Sequence, residues 1–200
     1  MAQGRPSYSA EDIEAFKHEV CRAALRIVSV EGQSALSFRG LAKVLGCSHT
    51  RVHGYYPNKQ ALIEALRDFA FGEFAEALES STVEIENPRD RLLQAGQTYF
   101  KFAHEDREAF QVLFSTIVPV KRFTTDNEQR AWNAIQQPIA AAIDAGYLVG
   151  DPDTLTHVFW SAIHGITNLS MTGNIKYGTN IDEILNLIFS GLRRGHGPQV

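Results

Sequence analysis

The stretch Leu36–Ser37–Phe38–Arg39–Gly40–Leu41–Ala42–Lys43–Val44–Leu45–Gly46–Cys47–Ser48–His49–Thr50–Arg51–Val52–His53–Gly54–Tyr55–Tyr56–Pro57–Asn58–Lys59 decides the fold. It predicts two short helices joined by a tight turn at Gly46, with a third helix starting after Asn58. Ser37 can cap the first helix, because its hydroxyl accepts from a free amide of the first turn. Leu41, Val44 and Leu45 follow at helical spacing and can face a core. Gly46 supplies the positive φ that ends this helix. Ser48 caps the next one, which turns His49, Thr50, Arg51 and His53 outward and Val52 inward. Pro57 restricts Tyr56 and stops the ladder. Asn58 then caps a helix whose first turn holds Lys59, where free amides and a lysine suit a phosphate. This is the layout of a helix-turn-helix, whose second helix enters the DNA major groove. From Gly32 to Ile63 there is no Asp or Glu, while Arg39, Lys43, Arg51 and Lys59 are cationic and His49 and His53 stand beside them. A polyanion is the natural partner of such a surface.

Outside this stretch the charge reverses. Of 19 Lys+Arg and 23 Asp+Glu in 200 residues, residues 1–60 hold eight and five, and residues 61–200 hold 11 and 18. A basic head of net +3 on a body of net −7 suits a protein that touches DNA with one end only. With 44% hydrophobic residues the chain can bury a core, and 21% charged residues argue against disorder. Two cysteines, Cys21 and Cys47, give no disulfide framework and read as reduced side chains. No apolar run approaches the roughly 20 residues that span a bilayer, and no secretory signal opens the chain. A cytoplasmic protein without a membrane partner is expected.

The rest of the chain reads as helices. Residues 1–8 form a polar arm; its Arg5 either reaches a minor groove or belongs to a loose tail. Ser9 with Asp12 resembles a capping box for a first helix that stops at Gly32. The helix after Asn58 runs to about Glu79, and Ser80–Asn87 is a loop. Asn87–Pro88 starts another helix. His104–Glu108 breaks the pattern before a helix that ends near Pro119. Lys121–Gly146 is helical, with Pro138 as a kink or break. Asp151–Pro152 opens a helix to about Met171 that is apolar on several faces, as expected of a helix buried on several sides. Gly173–Thr179 is a loop. Asn180 with Glu183 caps a last helix carrying the stripe Ile181, Ile184, Leu185, Ile188 and Leu192. No strand or repeat is predicted. The fold class is all-α with about nine helices: a helix-turn-helix domain over residues 1–60 and a helical domain over residues 61–200.

The run Leu36–Ser37, Leu41–Ala42, Leu45–Gly46–Cys47–Ser48, Tyr55–Tyr56–Pro57–Asn58–Lys59 and Leu62 resembles the DNA-binding domain of the TetR family of bacterial transcription regulators. The likeness covers about the first third of the chain. It departs at Val52–His53, where the family usually has a Leu-Tyr pair whose Tyr commonly touches a phosphate. Phe159–Trp160–Ser161–Ala162–Ile163–His164–Gly165–Ile166 is similar to the Trp and His-Gly signature of one branch of TetR-type regulatory domains. The resemblance implies a regulatory and dimerising body, with a homodimer formed through the last two helices. It implies a repressor released from a palindromic double-stranded operator by a small-molecule effector.

The candidate DNA-binding residues are Ser37, Arg39, Ser48, His49, Thr50, Arg51, His53, Tyr55 and Lys59. Arg51 can pair bidentately with guanine, or it can contact a phosphate. His49 and Thr50 suit either base or phosphate. Ser37, Ser48 and Lys59 suit phosphate, and Tyr55 suits a phosphate or the wall beside it. In the body, Phe100, Phe114, Trp132 and Trp160 either fill the core or line a cavity. His164 and Asn168, one helical turn apart, either bond internally or anchor a mostly apolar ligand. No Lys or Arg lies between Ala131 and Ile175, so such a ligand is uncharged or weakly polar. There is no glycine-rich phosphate loop, nucleophile elbow or zinc motif, so no enzyme, metal or cofactor is expected. Two rivals remain: a helical enzyme or carrier with an incidental basic head, and a DNA-binding regulator whose body takes a protein partner.

Overall fold

The structure, a computed structural model, describes residues 8–115, 125–175 and 180–196, without the side chains of 115, 181 and 192–196. The described residues form nine α-helices and one 3-10 turn, with no strand. In chain order these are α1 (Ala10–Glu31), the 3-10 turn (Gln33–Ala35), α2 (Phe38–Val44), α3 (His49–His53), α4 (Lys59–Thr82), α5 (Pro88–Glu105), α6 (Arg107–Ser115), α7 (Asp126–Asp144), α8 (Pro152–Met171) and α9 (Ile181–His196). The all-α expectation holds. Several sequence expectations lie outside the described residues: the arm with Arg5, the stop near Pro119, the cations Lys121 and Arg122, and Leu192 of the last stripe.

Local cap chemistry sets most helix starts. Ser9 Oγ accepts from the Asp12 amide at 3.1 Å, and the Asp12 carboxylate accepts from the Ser9 amide at 3.0 Å. These reciprocal bonds satisfy two otherwise orphaned donors of α1. Asn87 Oδ1 accepts from the Arg89 amide at 2.9 Å, with Pro88 in the first turn of α5. Asp151 does the same for Thr154 at 2.8 Å, with Pro152 opening α8. Asp106 ends α5 and accepts from the Ala109 amide at 3.1 Å, which makes the break between α5 and α6. Pro138 neither breaks nor ends α7, which continues through it to Asp144. The 3-10 turn after Gly32 was not expected; it occupies three residues that lack any periodic apolar signal.

The contacts divide the chain into two compact units. Among described residues, the first holds 8–70 and 111–115, and the second holds 71–110, 125–175 and 180–196. In the first unit α2 packs on α1 and α3, over a core that includes Val20, Leu25, Leu36, Leu41, Val52 and Leu62. Tyr56 is buried with its hydroxyl 4.0 Å from Cys21 Sγ, and burial pushes the Cys21 thiol up to about 11. Both cysteines are free.

In the second unit α5 packs against α7, α8 and α9, and α8 also packs against α7 and α9. Leu92, Ile139, Ala142, Leu148, Leu155 and Phe159 form one buried cluster, flanked by Ile143, Tyr147 and Phe189. The Phe189 ring lies so close to Gly96 that a Cβ there would stand 2.8 Å from its Cζ. Only a glycine on α5 admits that ring. Phe189 also stacks on Phe159, with ring centroids 5.3 Å apart. Leu185 is 1% exposed, so it belongs to the chain's own core and not to an outer stripe. Among the described side chains of α9, Leu187 is an outward apolar one, at 64% exposure.

Candidate functional site

The helix-turn-helix is built as its caps dictate. Ser37 Oγ accepts from the Gly40 amide at 3.1 Å, and Ser48 Oγ accepts from the Arg51 amide at 3.2 Å. Gly46 takes φ of 61° between the two helices, a conformation that strains any other L residue except Asn or Asp. Each capping hydroxyl is used as an acceptor, which leaves its O–H able to donate to a phosphate oxygen. Both serines are exposed, as are Arg39, Lys43, His49, Thr50 and His53. Val52 is fully buried and fixes the inner side of α3.

Arg51 departs from its expected outward position. It is half-buried, with its guanidinium 3.9 Å over the Phe16 ring centroid and 5.0 Å from that of Tyr8. Its Nε is buried without a hydrogen-bond partner. The faces of two aromatic rings attract the cation toward the α1 side of α3. Tyr55 is half-buried against the same Phe16, with ring centroids 5.4 Å apart. Lys59 donates from Nζ to the Ser34 carbonyl at 3.0 Å, and Asn58 Oδ1 caps α4 by accepting from the Ala61 amide at 2.9 Å.

The outer side of α3 carries a feature that the sequence reading missed. Phe38, the first residue of α2, lies under both histidines: its ring centroid is 4.8 Å from His53 and 6.3 Å from His49. The two imidazoles are 5.6 Å apart. The signal was available in part, since positions 49 and 53 share one helical face. Nothing local placed Phe38 beneath them.

In the second unit the structure brings Trp132, Trp160 and His164 together with Tyr99. Trp160 Nε1 donates to the Tyr99 hydroxyl at 3.1 Å, and that hydroxyl lies 2.8 Å from His164 Nδ1. The Tyr99 oxygen thus accepts the indole N–H and shares a second hydrogen bond with Nδ1, whose direction follows the His164 tautomer. Burial holds His164 below the ordinary imidazole range and Tyr99 well above the ordinary phenol range. The rings of Trp132 and Trp160 meet edge to face at 6.3 Å. Phe110 and Phe74 border Tyr99 at 5.8 and 5.2 Å.

Phe100 stacks on exposed His104 at 4.3 Å, and Phe114 is half-buried on α6. Asn168 is exposed and donates its amide to the His164 backbone carbonyl at 3.1 Å, so the two side chains do not face one cavity. The inward polar group of that turn is Thr167, fully buried with its hydroxyl unpartnered among the described residues. Its spacing from His164 places it on the inner face as naturally as Asn168, but its small size hid it. A void of about 30 Å³ lies among Leu78, Tyr99, Ile135, Ile139, Ile163 and Phe189. It has room for about one water and not for a ligand.

No group of three His, Cys, Asp or Glu that could hold a metal occurs among the described residues, and no helix there is long and apolar enough to cross a membrane. The outer face of α8 exposes Val158 and Leu169, beside a shallow groove floored by Ser161 and Ala162.

A family model described as the Tetracyclin repressor-like, C-terminal domain matches residues 92–192. That match spans half of the chain. The chain belongs to the TetR family. It is a TetR-family transcription regulator, with a helix-turn-helix followed by a helical C-terminal domain. Solved structures agree on the fold. A protein of unknown function from Rhodococcus sp. RHA1 is 23% identical, with a TM-score of 0.77 over 90% of this chain and 95% of that one. A TetR family transcription regulator from Marinobacter aquaeolei VT8 is 22% identical, with a TM-score of 0.75 over 96% of this chain and 100% of that one. A putative TetR family transcriptional regulator from Vibrio parahaemolyticus is 15% identical, with a TM-score of 0.75 over 90% and 97%. No curated protein matches the chain.

Proposed function

We propose that this TetR-family regulator binds a palindromic double-stranded operator in the cytoplasm as a homodimer and represses transcription until a small, mostly apolar effector releases it. The reading divides the work between a DNA-binding region of residues 1–60 and a regulatory and dimerising region of residues 61–200. The single observation that carries it is the exposed, acid-free face of α2 and α3. Ser37, Arg39, Ser48, His49, Thr50 and His53 all reach solvent there, and no carboxylate occurs from Gly32 to Ile63. A two-fold dimer through α8 and α9, whose exposed Val158, Leu169 and Leu187 suit a partner, brings two such faces onto successive turns of DNA, about 34–36 Å apart.

The effector's place in this reading is the region of Trp132, Trp160, His164 and Thr167, where apolar rings surround few polar groups. A ligand that fits one state better shifts the population away from the DNA-binding state, by no more than its differential affinity. The rival in which the body takes a protein partner and no small ligand draws support from the exposed Val158 and Leu169 on α8. A footprint on the DNA upstream of the chain's own gene, repeated with candidate apolar compounds, tests the proposal. Protection of a palindrome that a compound abolishes is the expected result. Protection that no compound alters favours the rival, and no protected site removes the regulator reading.

A further inference from the structure

Resting on the DNA-binding reading above, we infer that base recognition falls to His49 and His53, held on the ring of Phe38, and that Arg51 positions the recognition helix instead of reading a base. The two roles follow from the two sides of α3. On the inner side the Arg51 guanidinium lies between Phe16 and Tyr8, 3.9 and 5.0 Å from their centroids. Reaching a base edge requires it to leave both ring faces. Its backbone amide is meanwhile held by the Ser48 cap, and the adjacent Val52 is fully buried. Arg51 therefore ties α3 to α1 and sets the angle at which the helix is presented.

On the outer side the exposed groups are His49, Thr50 and His53. The His53 ring packs on Phe38 with a tilt of 32° at 4.8 Å, and His49 meets Phe38 edge to face at 6.3 Å. Packed against Phe38 and 5.6 Å from each other, the two exposed imidazoles offer ring nitrogens to a base edge. Packing on Phe38 also restricts the side-chain torsions before DNA arrives, which lowers the ordering cost of binding. In the major groove an imidazole N–H meets its best acceptors at N7 and O6 of guanine, and N7 alone at adenine. The recognised chemistry is thus a purine edge, with guanine favoured. Thr50 lies between the histidines in sequence and offers a methyl group to thymine.

The test uses the full-length protein and a duplex containing its preferred site, with each guanine of a half-site replaced in turn by 7-deazaguanine, which lacks the N7 acceptor. Wild type is expected to lose about tenfold in affinity at one or two positions, the size of one good base contact. His53→Ala or His49→Ala should erase the 7-deaza penalty at its own position and leave the other intact. Phe38→Leu should shrink both penalties. Arg51→Met should weaken binding to all sequences by a similar factor and keep every penalty; if it does not fold, Arg51→Lys, which keeps a cation over the rings, takes its place. Loss of a penalty in the Arg51 variant, with the histidine variants unchanged, overturns the inference and leaves the regulator reading standing. A wild type without any preferred site overturns both.

Discussion

The Tyr99 hydroxyl stands 2.8 Å from Nδ1 of His164 and at the same time accepts the Trp160 indole N–H at 3.1 Å. Sixty-five residues separate Tyr99 from His164, so this one oxygen ties α5 to α8 through two polar groups in an aromatic surrounding. Tyr99→Phe keeps the ring but removes the oxygen that the Trp160 indole N–H and His164 Nδ1 share. Losing two half-buried hydrogen bonds costs about 1–3 kcal/mol. Urea unfolding of the full chain should show a loss of that size; an unchanged midpoint would mean the bonds contribute nothing to the fold.

Burial lowers the His164 pKa below its ordinary value of 6.5. Between the folded and unfolded values the unfolded chain binds more protons, so stability rises with pH in that window. The His164 contribution is fully present above about pH 6.5 and is lost as pH falls through and below that value. Stability curves for wild type and His164→Gln should diverge in slope from pH 7 to pH 5, with wild type the steeper. Parallel curves would place the acid sensitivity elsewhere.

Gly96 gives a sharper steric test. A Cβ at this position meets Phe189 Cζ at 2.8 Å, so Gly96→Ala must displace the ring that joins α9 to α5 and stacks on Phe159. Overpacking of this kind costs about 1–3 kcal/mol. At Gly191, also helical, a Cβ meets nothing within 4 Å, so Gly191→Ala should gain up to about 1 kcal/mol from helix propensity. Opposite signs in thermal unfolding are the expected outcome. Equal effects would refute the packing of Phe189 on Gly96.

How much of this was legible in the sequence depended on the range of the interaction. Ser9 with Asp12, Ser37, Ser48, Asn87–Pro88 and Asp151–Pro152 announce helix starts because a cap bonds within three residues of itself. The helix-turn-helix and most helix boundaries followed from those signals and from apolar spacing. The contacts of Arg51 with Phe16, Lys59 with Ser34 and Tyr99 with His164 join distant segments, and no local spacing names such a partner. That is why the outward reading of Arg51 differed from its position. It is also why Asn168 was read as an inward polar group where Thr167 is the buried one. Leu185 shows the same limit: periodicity marked the apolar side of α9 but could not say which apolar residues the chain itself covers.

The proposed dimer is therefore probed at outward residues. Val158→Glu on α8 or Leu187→Glu on α9 puts a charge on an exposed apolar position, which the isolated fold tolerates and an apolar interface does not. Sedimentation should show monomers with unchanged helical circular dichroism. Leu185→Glu should unfold the chain instead, since that side chain is 1% exposed. A wild type that is already monomeric at micromolar concentration contradicts the dimer.

The central claim is that the acid-free face of α2 and α3 grips operator DNA, and equilibrium binding measured against salt tests it most directly. Affinity for a palindromic duplex should fall linearly on logarithmic axes, with a slope of about −0.9 for each phosphate neutralised. Removing one exposed cation, as in Arg39→Ala, should make the slope shallower by about one for each subunit bound while the preferred sequence stays the same. A salt-independent affinity, or binding that shows no preference for any palindrome, would contradict the account.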